Sequence, residues 1–208
     1  MFEAAEVGHR IDDERYEKEA EEMRSALLEV QAEMLERRAF PLIICIAGLD
    51  GAGKGETVNL LHEWMDPRHL EVHALSQPTE EEDDRPPMWR YWRTLPAKGL
   101  TGIFFGSWYH DPLDQRLHGR MSERGLDQSI GDIRKFEQML ADEGALVLKF
   151  WFHLSKKAQK KRLKSLESDP RTRWRITPQD WKNYELYAPF CRIGERLVRE
   201  TSTAHAPW

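Results

Sequence analysis

A chain of 208 residues that is 40% hydrophobic and 32% charged has the balance of one soluble domain with a full core. A net charge of −5 argues against nucleic acid as a partner. No 18-residue apolar stretch or basic-then-apolar leader pattern calls for a membrane, and Cys45 and Cys191 read as small buried residues of a reducing cytoplasm rather than a disulfide framework.

Residues 1–10 carry no structural signal. From about Asp12 to Arg38 no Gly or Pro intervenes, and Tyr16, Ala20, Met23, Leu27, Val30 and Met34 recur at alternating steps of four and three. That predicts a helix with a heptad-like stripe, lying on the domain, on a partner or in a coiled coil. This N-terminal helical region, residues 1–40, is set apart from a domain over 41–208. The run Leu42-Ile43-Ile44-Cys45-Ile46-Ala47 predicts a strand buried on both faces.

The stretch Gly48-Leu49-Asp50-Gly51-Ala52-Gly53-Lys54-Gly55-Glu56-Thr57 follows, and Val58, Leu61, Trp64 and Met65 then keep helical spacing. Strand, glycine-rich turn and helix are the context of a phosphate-binding P-loop. Gly48, Gly51, Gly53 and Gly55 let backbone N–H groups approach phosphate oxygens. The helix adds its positive N-terminal end, and Lys54 offers a mobile charge to a transferring phosphoryl group. The alternative is a glycine-rich turn with no ligand. Gly55 stands where a Ser or Thr hydroxyl usually holds Mg²⁺, so a metal falls to Asp50, to acids elsewhere, or is held poorly.

Leu70 to Leu75 reads as the second strand. Gln77-Pro78-Thr79 and five acids, Glu80 to Asp84, then form either a solvated loop or a site for Mg²⁺ or a nucleotide. The segment Met88 to Arg93 places Trp89, Trp92 and Arg93 on one helical face. Leu100 to Phe105 is the third strand. Residues 111–143 read as loop then helix, with Ile133, Phe136, Met139 and Leu140 as core face. Ala145 to Phe152 is the fourth strand. Its Lys149 is unusual inside a parallel strand, and either reaches phosphate from the strand's end or snorkels to solvent. Ser155 caps a helix from Lys156 to about Glu167.

Residues 156–175 hold nine bases and two acids, whereas residues 1–40 hold twelve acids and six bases. The basic window is an anion-attracting patch on an acidic protein. Within it Arg171, Arg173 and Arg175 alternate around Trp174; we read this loop as a lid closing cations over phosphates in preference to a flexible solvated loop. Thr177 and Pro178 restart a helix as N-cap and first residue, and Pro189 kinks or divides it.

Gly48-Leu49-Asp50-x-x-Gly53-Lys54-Gly55 resembles the loop of the polyphosphate kinase 2 family, P-loop phosphotransferases that move phosphate between inorganic polyphosphate and nucleotides. Tyr16-Glu17-Lys18-Glu19, Leu95-Pro96-Ala97-Lys98-Gly99, Ser107-Trp108-Tyr109, Lys149-Phe150, Ser155 through Arg162, Trp174 through Asp180 and Thr201 through Trp208 follow in the family's order. The resemblance covers nearly all of residues 14–208. It implies an α/β fold, a P-loop kinase-like parallel sheet flanked by helices with a helical basic lid at about 169–180. It implies Mg²⁺ as cofactor, with inorganic polyphosphate and a nucleoside monophosphate as substrates. Asp50, Lys54 and Arg162 take the catalytic positions, with Asp50 the metal ligand. Arg171, Arg173 and Arg175 bind the phosphate chain, and Trp89 and Arg93 lie on the acceptor nucleotide's side.

The sequence departs from the family at the third strand's end. There an Asp and an Arg usually precede Ser-Trp-Tyr, and here Phe105 and Gly106 stand instead. A phenyl ring cannot coordinate Mg²⁺, and glycine cannot neutralise phosphate. The chain also stops where a fifth parallel strand is usual. It therefore looks like the amino-terminal module of a two-module polyphosphate:AMP phosphotransferase that makes ADP from AMP, with the second homologous module and an oligomer as partners. Three functions compete: an active polyphosphate-dependent nucleotide kinase, a non-catalytic module that binds polyphosphate or supports a catalytic partner domain, and an ATP-dependent nucleotide kinase.

Overall fold

The computed structural model describes residues 1–8, 10–75 and 78–208. Helix α1 runs Asp13–Arg37, capped by Asp12, whose side chain accepts from the Arg15 amide. Its apolar stripe is largely left to solvent, with Met23 and Val30 each 53% exposed. The helix is instead anchored by Gln31, the residue it buries. Gln31 Oε1 accepts from the Asp66 amide at 2.7 Å and its Nε2 donates to the Asp66 carbonyl at 3.0 Å. A polar side chain satisfied on both sides fixes α1 where the hydrophobic pattern does not.

Strand β1 (Leu42–Gly48) leads into α2 (Lys54–Trp64), then β2 (Leu70–His73) and the short helices α3 (Glu80–Asp83) and α4 (Trp89–Trp92). Strand β3 (Thr101–Phe105) passes through a 3-10 turn over Ser107–Tyr109 into α5 (His110–Leu117) and α6 (Glu123–Asp142). Strand β4 (Leu146–Phe152) and α7 (Lys156–Ser168) follow, then α8 (Pro178–Glu185) and α9 (Tyr187–Thr201). Among the described residues the strands form one four-stranded sheet, order β2-β3-β1-β4, and every pairing is parallel. The fold is the α/β, P-loop kinase-like one expected.

Alternate residues of β1 enter opposite layers. Ile43 and Cys45 join Phe104, Trp108, Phe136 and Leu197 on one face. Ile44 and Ile46 join Val58, Leu70 and Ile103 on the other. Covering helices on both sides explain why β1 reads as an unbroken apolar run. Because β1 is central, its carboxyl end opens between β3 and β4, where such sheets bind ligands.

Several expectations are corrected. Residues 2–6 form a 3-10 helix whose Phe2 stacks on Trp151 at 5.4 Å and on His153 at 4.7 Å. Met139 is 44% exposed and leaves the core face to Ile130, Ile133, Phe136 and Leu140. The acidic run is helix α3, closed by a capping box between Thr79 and Glu82; Gln77, just before it, lies outside the described residues. The helix restarted at Thr177 does divide, as expected, with Leu186 between α8 and α9; Pro189 falls in the first turn of α9, where its missing N–H costs no bond. Lys149 neither reaches phosphate nor snorkels: its side chain is fully buried against Glu137.

Strand β4 is an edge among the described residues. Val147 and Lys149 are buried on one face, while Leu146, Leu148 and Phe150 are 44%, 36% and 48% exposed on the other. Both cysteines are free. No described helix is long and apolar enough to cross a membrane.

Candidate functional site

The loop between β1 and α2 is shaped by the strand beside it. Gly48 has φ +119°, and a Cβ there would lie 2.1 Å from the Phe152 carbonyl oxygen, so only glycine lets the chain turn this close to β4. Gly53, with φ 99°, then precedes the first residue of α2, Lys54. The Lys54 ammonium donates to the Gly48 carbonyl at 2.6 Å and to Asp50 Oδ1 at 3.2 Å. It lies 5.9 Å from the centre of the Phe105 ring.

Asp50 is held from three sides. Its Oδ2 accepts from Asn183 Nδ2 of α8 at 3.1 Å, and its carbonyl accepts from Gln159 Nε2 of α7 at 3.0 Å. Burial pushes its carboxyl upward, but Lys54 and the hydrogen bonds from Asn183 and Lys54 outweigh burial, and the group ends below the usual carboxylate range.

Three cavities meet at Asp50 and Lys54. One, about 290 Å³, opens toward β2 and α4 and is lined by His73, Arg90, Phe105, His110 and Asp111. One, about 160 Å³, lies under the basic loop between Glu56, Phe105, Arg175 and Ile176. The third, about 60 Å³, runs between Tyr109, Leu113, Trp151, Gln159 and Asn183. Cavities that share one lysine and one carboxylate leave room for two ligands to meet there.

The predicted cations divide into two groups. Arg162 Nη2 lies 2.9 Å and Arg175 Nη1 3.0 Å from the same oxygen, Glu56 Oε1, so both reach the mouth of the loop. Burial raises the Glu56 carboxyl, but its own backbone amide and the two arginines lower it further. Arg171 pairs with its neighbour Asp169 at 3.1 Å and is 88% exposed, and Arg173 is exposed. Trp89 and Arg93 stack on each other at 4.7 Å. The neighbouring Arg90 and Tyr91 line the cavity toward β2 in their place. Arg90 is paired there with Asp111 at 3.7 Å and Glu82 at 3.6 Å.

The donors fit Mg²⁺ poorly. Asp50 is the carboxylate at the loop, with both oxygens engaged. Phe105 closes the strand end, and among the described residues no group of three or more His, Cys, Asp or Glu gathers as a cation site. Asp111, across the cleft, is pushed up by burial against the opposing pull of His110 and Arg90.

Glu56, Gln159 and Asn183 were not singled out from sequence. Glu56 gives a weak local signal, an acid in the first turn of a helix whose start should take phosphate. Gln159 and Asn183 give none, because their roles depend on α7 and α8 packing over the loop.

The chain matches the sequence profile described as Polyphosphate kinase 2 over residues 10–208. It is 57% identical over 208 residues to a polyphosphate:AMP phosphotransferase of Pseudomonas aeruginosa and 54% identical to one of Pseudomonas syringae pv. tomato, covering 100% of this chain and 42% of each relative. A crystal structure of polyphosphate kinase 2 from Arthrobacter aurescens superposes with a TM-score of 0.92 at 28% identity, covering 97% of this chain and 73% of that one. The chain thus spans well under half the length of the Pseudomonas relatives.

Proposed function

The chain belongs to the polyphosphate kinase 2 family, and from that premise we propose that it binds inorganic polyphosphate across the Gly48–Lys54 loop and the basic lid. In this reading it is the amino-terminal module of a polyphosphate:AMP phosphotransferase, working in the cytoplasm beside a second homologous module and with its own turnover impaired. The observation that carries this is the meeting of cavities at Asp50 and Lys54, with Phe105 closing the strand end where the family's carboxylate stands.

The chemistry is positioning and charge neutralisation. Lys54 and the loop amides hold a phosphoryl group, Arg162 and Arg175 meet the chain at the loop's mouth, and Arg171 and Arg173 extend the basic track outward. The nucleoside monophosphate takes the β2-side cavity, lined by Arg90 and His110. The phenyl ring of Phe105 at the end of β3, in place of a carboxylate, supports impaired turnover over an active kinase.

The test is AMP phosphorylation by this chain with polyphosphate and Mg²⁺, beside the full-length Pseudomonas aeruginosa relative. We expect a rate at least ~100-fold lower, the loss of one positioned charge costing a few kcal/mol of barrier. Equal rates overturn the impaired-module reading, and turnover with ATP but not polyphosphate identifies an ordinary nucleotide kinase. Restoring the carboxylate is feasible at Phe105→Asp alone. Gly106 has φ +82°, and a Cβ there would lie 3.3 Å from His110 Cβ, so Gly106→Arg is strained as well as charged.

A further inference from the structure

The arginines of the anion site are already occupied by a carboxylate of the chain itself. Glu56 lies in the first turn of α2, two positions after Lys54. A single oxygen, Oε1, holds Arg162 of α7 at 2.9 Å and Arg175 of the lid turn at 3.0 Å. Lys54, for its part, is held by Asp50 and the Gly48 carbonyl. A Cβ at Gly55 would lie 3.6 Å from Arg175 Nη2, so the lid arginine reaches down to the loop backbone. A phosphate oxygen at the same point would make the same two charge-assisted bonds, at the same positive helix end.

We propose that Glu56 sets the affinity of this site: its carboxylate stands in for phosphate, holds the lid over the loop, and must be displaced before an anion binds. The inference rests on the reading of the cleft as a polyphosphate site and deepens it. The side chains involved are 35–42% exposed, and ion pairs at such exposure are worth only about 0–1 kcal/mol. Displacement is therefore cheap for an anion that brings enough charge.

A short anion exchanges one pair of contacts for another and gains little. A longer phosphate chain displaces Glu56 and also engages Arg171, Arg173 and the lysines of α7, whose contacts add once the first is made. Glu56 thereby lowers the affinity of every phosphate ligand by the same factor, and the longer chain, with its further contacts, still binds above that threshold.

The test is calorimetric titration of wild type and Glu56→Gln with pyrophosphate and with inorganic tripolyphosphate, at one ionic strength and without added metal. Removing the competing charge should tighten tripolyphosphate binding about fivefold, the equivalent of ~1 kcal/mol. Pyrophosphate meets the same displacement and should tighten by about the same factor, from a weaker start. Adding Arg175→Ala to Glu56→Gln should abolish the gain. Should Glu56→Gln fail to fold, Glu56→Asp, too short to bridge both arginines, is read the same way. Tripolyphosphate binding that is unchanged or weaker in the variant while wild type binds it overturns the role of Glu56 alone. Absence of tripolyphosphate binding by folded wild type and variant alike overturns the polyphosphate site itself, and this inference with it.

Discussion

At the residue scale the chain's most committed charges are those farthest from solvent. Lys149 and Glu137 are each 0% exposed in the side chain and 2.8 Å apart. The remaining donors and acceptors are met: Lys149 also donates to the Tyr109 hydroxyl at 3.1 Å and the Thr201 carbonyl at 2.8 Å, while Glu137 accepts from Trp108 Nε1 at 3.0 Å and from the Tyr109 hydroxyl at 2.5 Å. Burial lowers the Lys149 pKa and Glu137 opposes it; burial and Glu137 together push the Tyr109 hydroxyl well up. Such a pair resists the removal of one partner far more than of both. Glu137→Gln is therefore expected to lower stability by about 3–5 kcal/mol in urea unfolding, and the double variant Glu137→Leu with Lys149→Met by clearly less. Similar losses in the two would mean that shape, not charge, is what the pair supplies.

At the element scale the lid and α8 carry the contact that orders the loop. Thr177 accepts from the Asp180 amide while Asp180 accepts from the Thr177 amide, a reciprocal capping box with Pro178 at the first position. This start was legible from Thr177-Pro178-Gln179-Asp180 because capping is a local contract between residues three apart. Its consequence was not legible: α8 brings Asn183 to Asp50 across 133 positions of sequence. Thr177→Ala is expected to cost about 1 kcal/mol by thermal or urea unfolding. A variant as stable as wild type would show that packing, not the cap, holds α8. The α1 stripe misled for the opposite reason. A heptad pattern states that a helix can bury a seam, but whether anything lies against it is settled by the rest of the fold, and here Gln31 is the anchor.

Across the whole molecule the carboxylates set the response to acid. Asp50 and Glu56 lie below their ordinary values of 3.8 and 4.5, and Asp66 is lowered to about 2 by Arg68. A carboxylate depressed in the folded state adds stability that is present above its unfolded pKa and is lost as pH falls through the folded one. Asp111, raised by burial, works the other way and recovers a little stability on acidification. Depressed groups outnumber it, with Glu6, Asp169 and Glu195 also lowered. The melting temperature should be nearly flat from about pH 5.5 to 7.5 and fall below about pH 4.5. A melting temperature that instead rises on acidification would place Asp111, not the depressed carboxylates, in control.

The sequence by itself determined the parts that are local in the chain. An unbroken apolar run marked β1 as buried on both faces, and apolar segments marked β3 and β4. The glycine spacing with Lys54 marked the loop, and the caps at Ser155 and Thr177 marked two helix starts. Each of these answers to neighbouring backbone geometry or to a helical or strand period, so a short window contains the reason. Tertiary structure alone decided who meets whom across the fold. It placed Arg162 and Arg175 on Glu56 and brought Asn183 and Gln159 to Asp50. It turned Lys149 inward to Glu137 and left Trp89 and Arg93 to each other. Charges on different elements pair only when topology brings those elements within a few ångströms, and a sequence pattern records the charge without recording the distance.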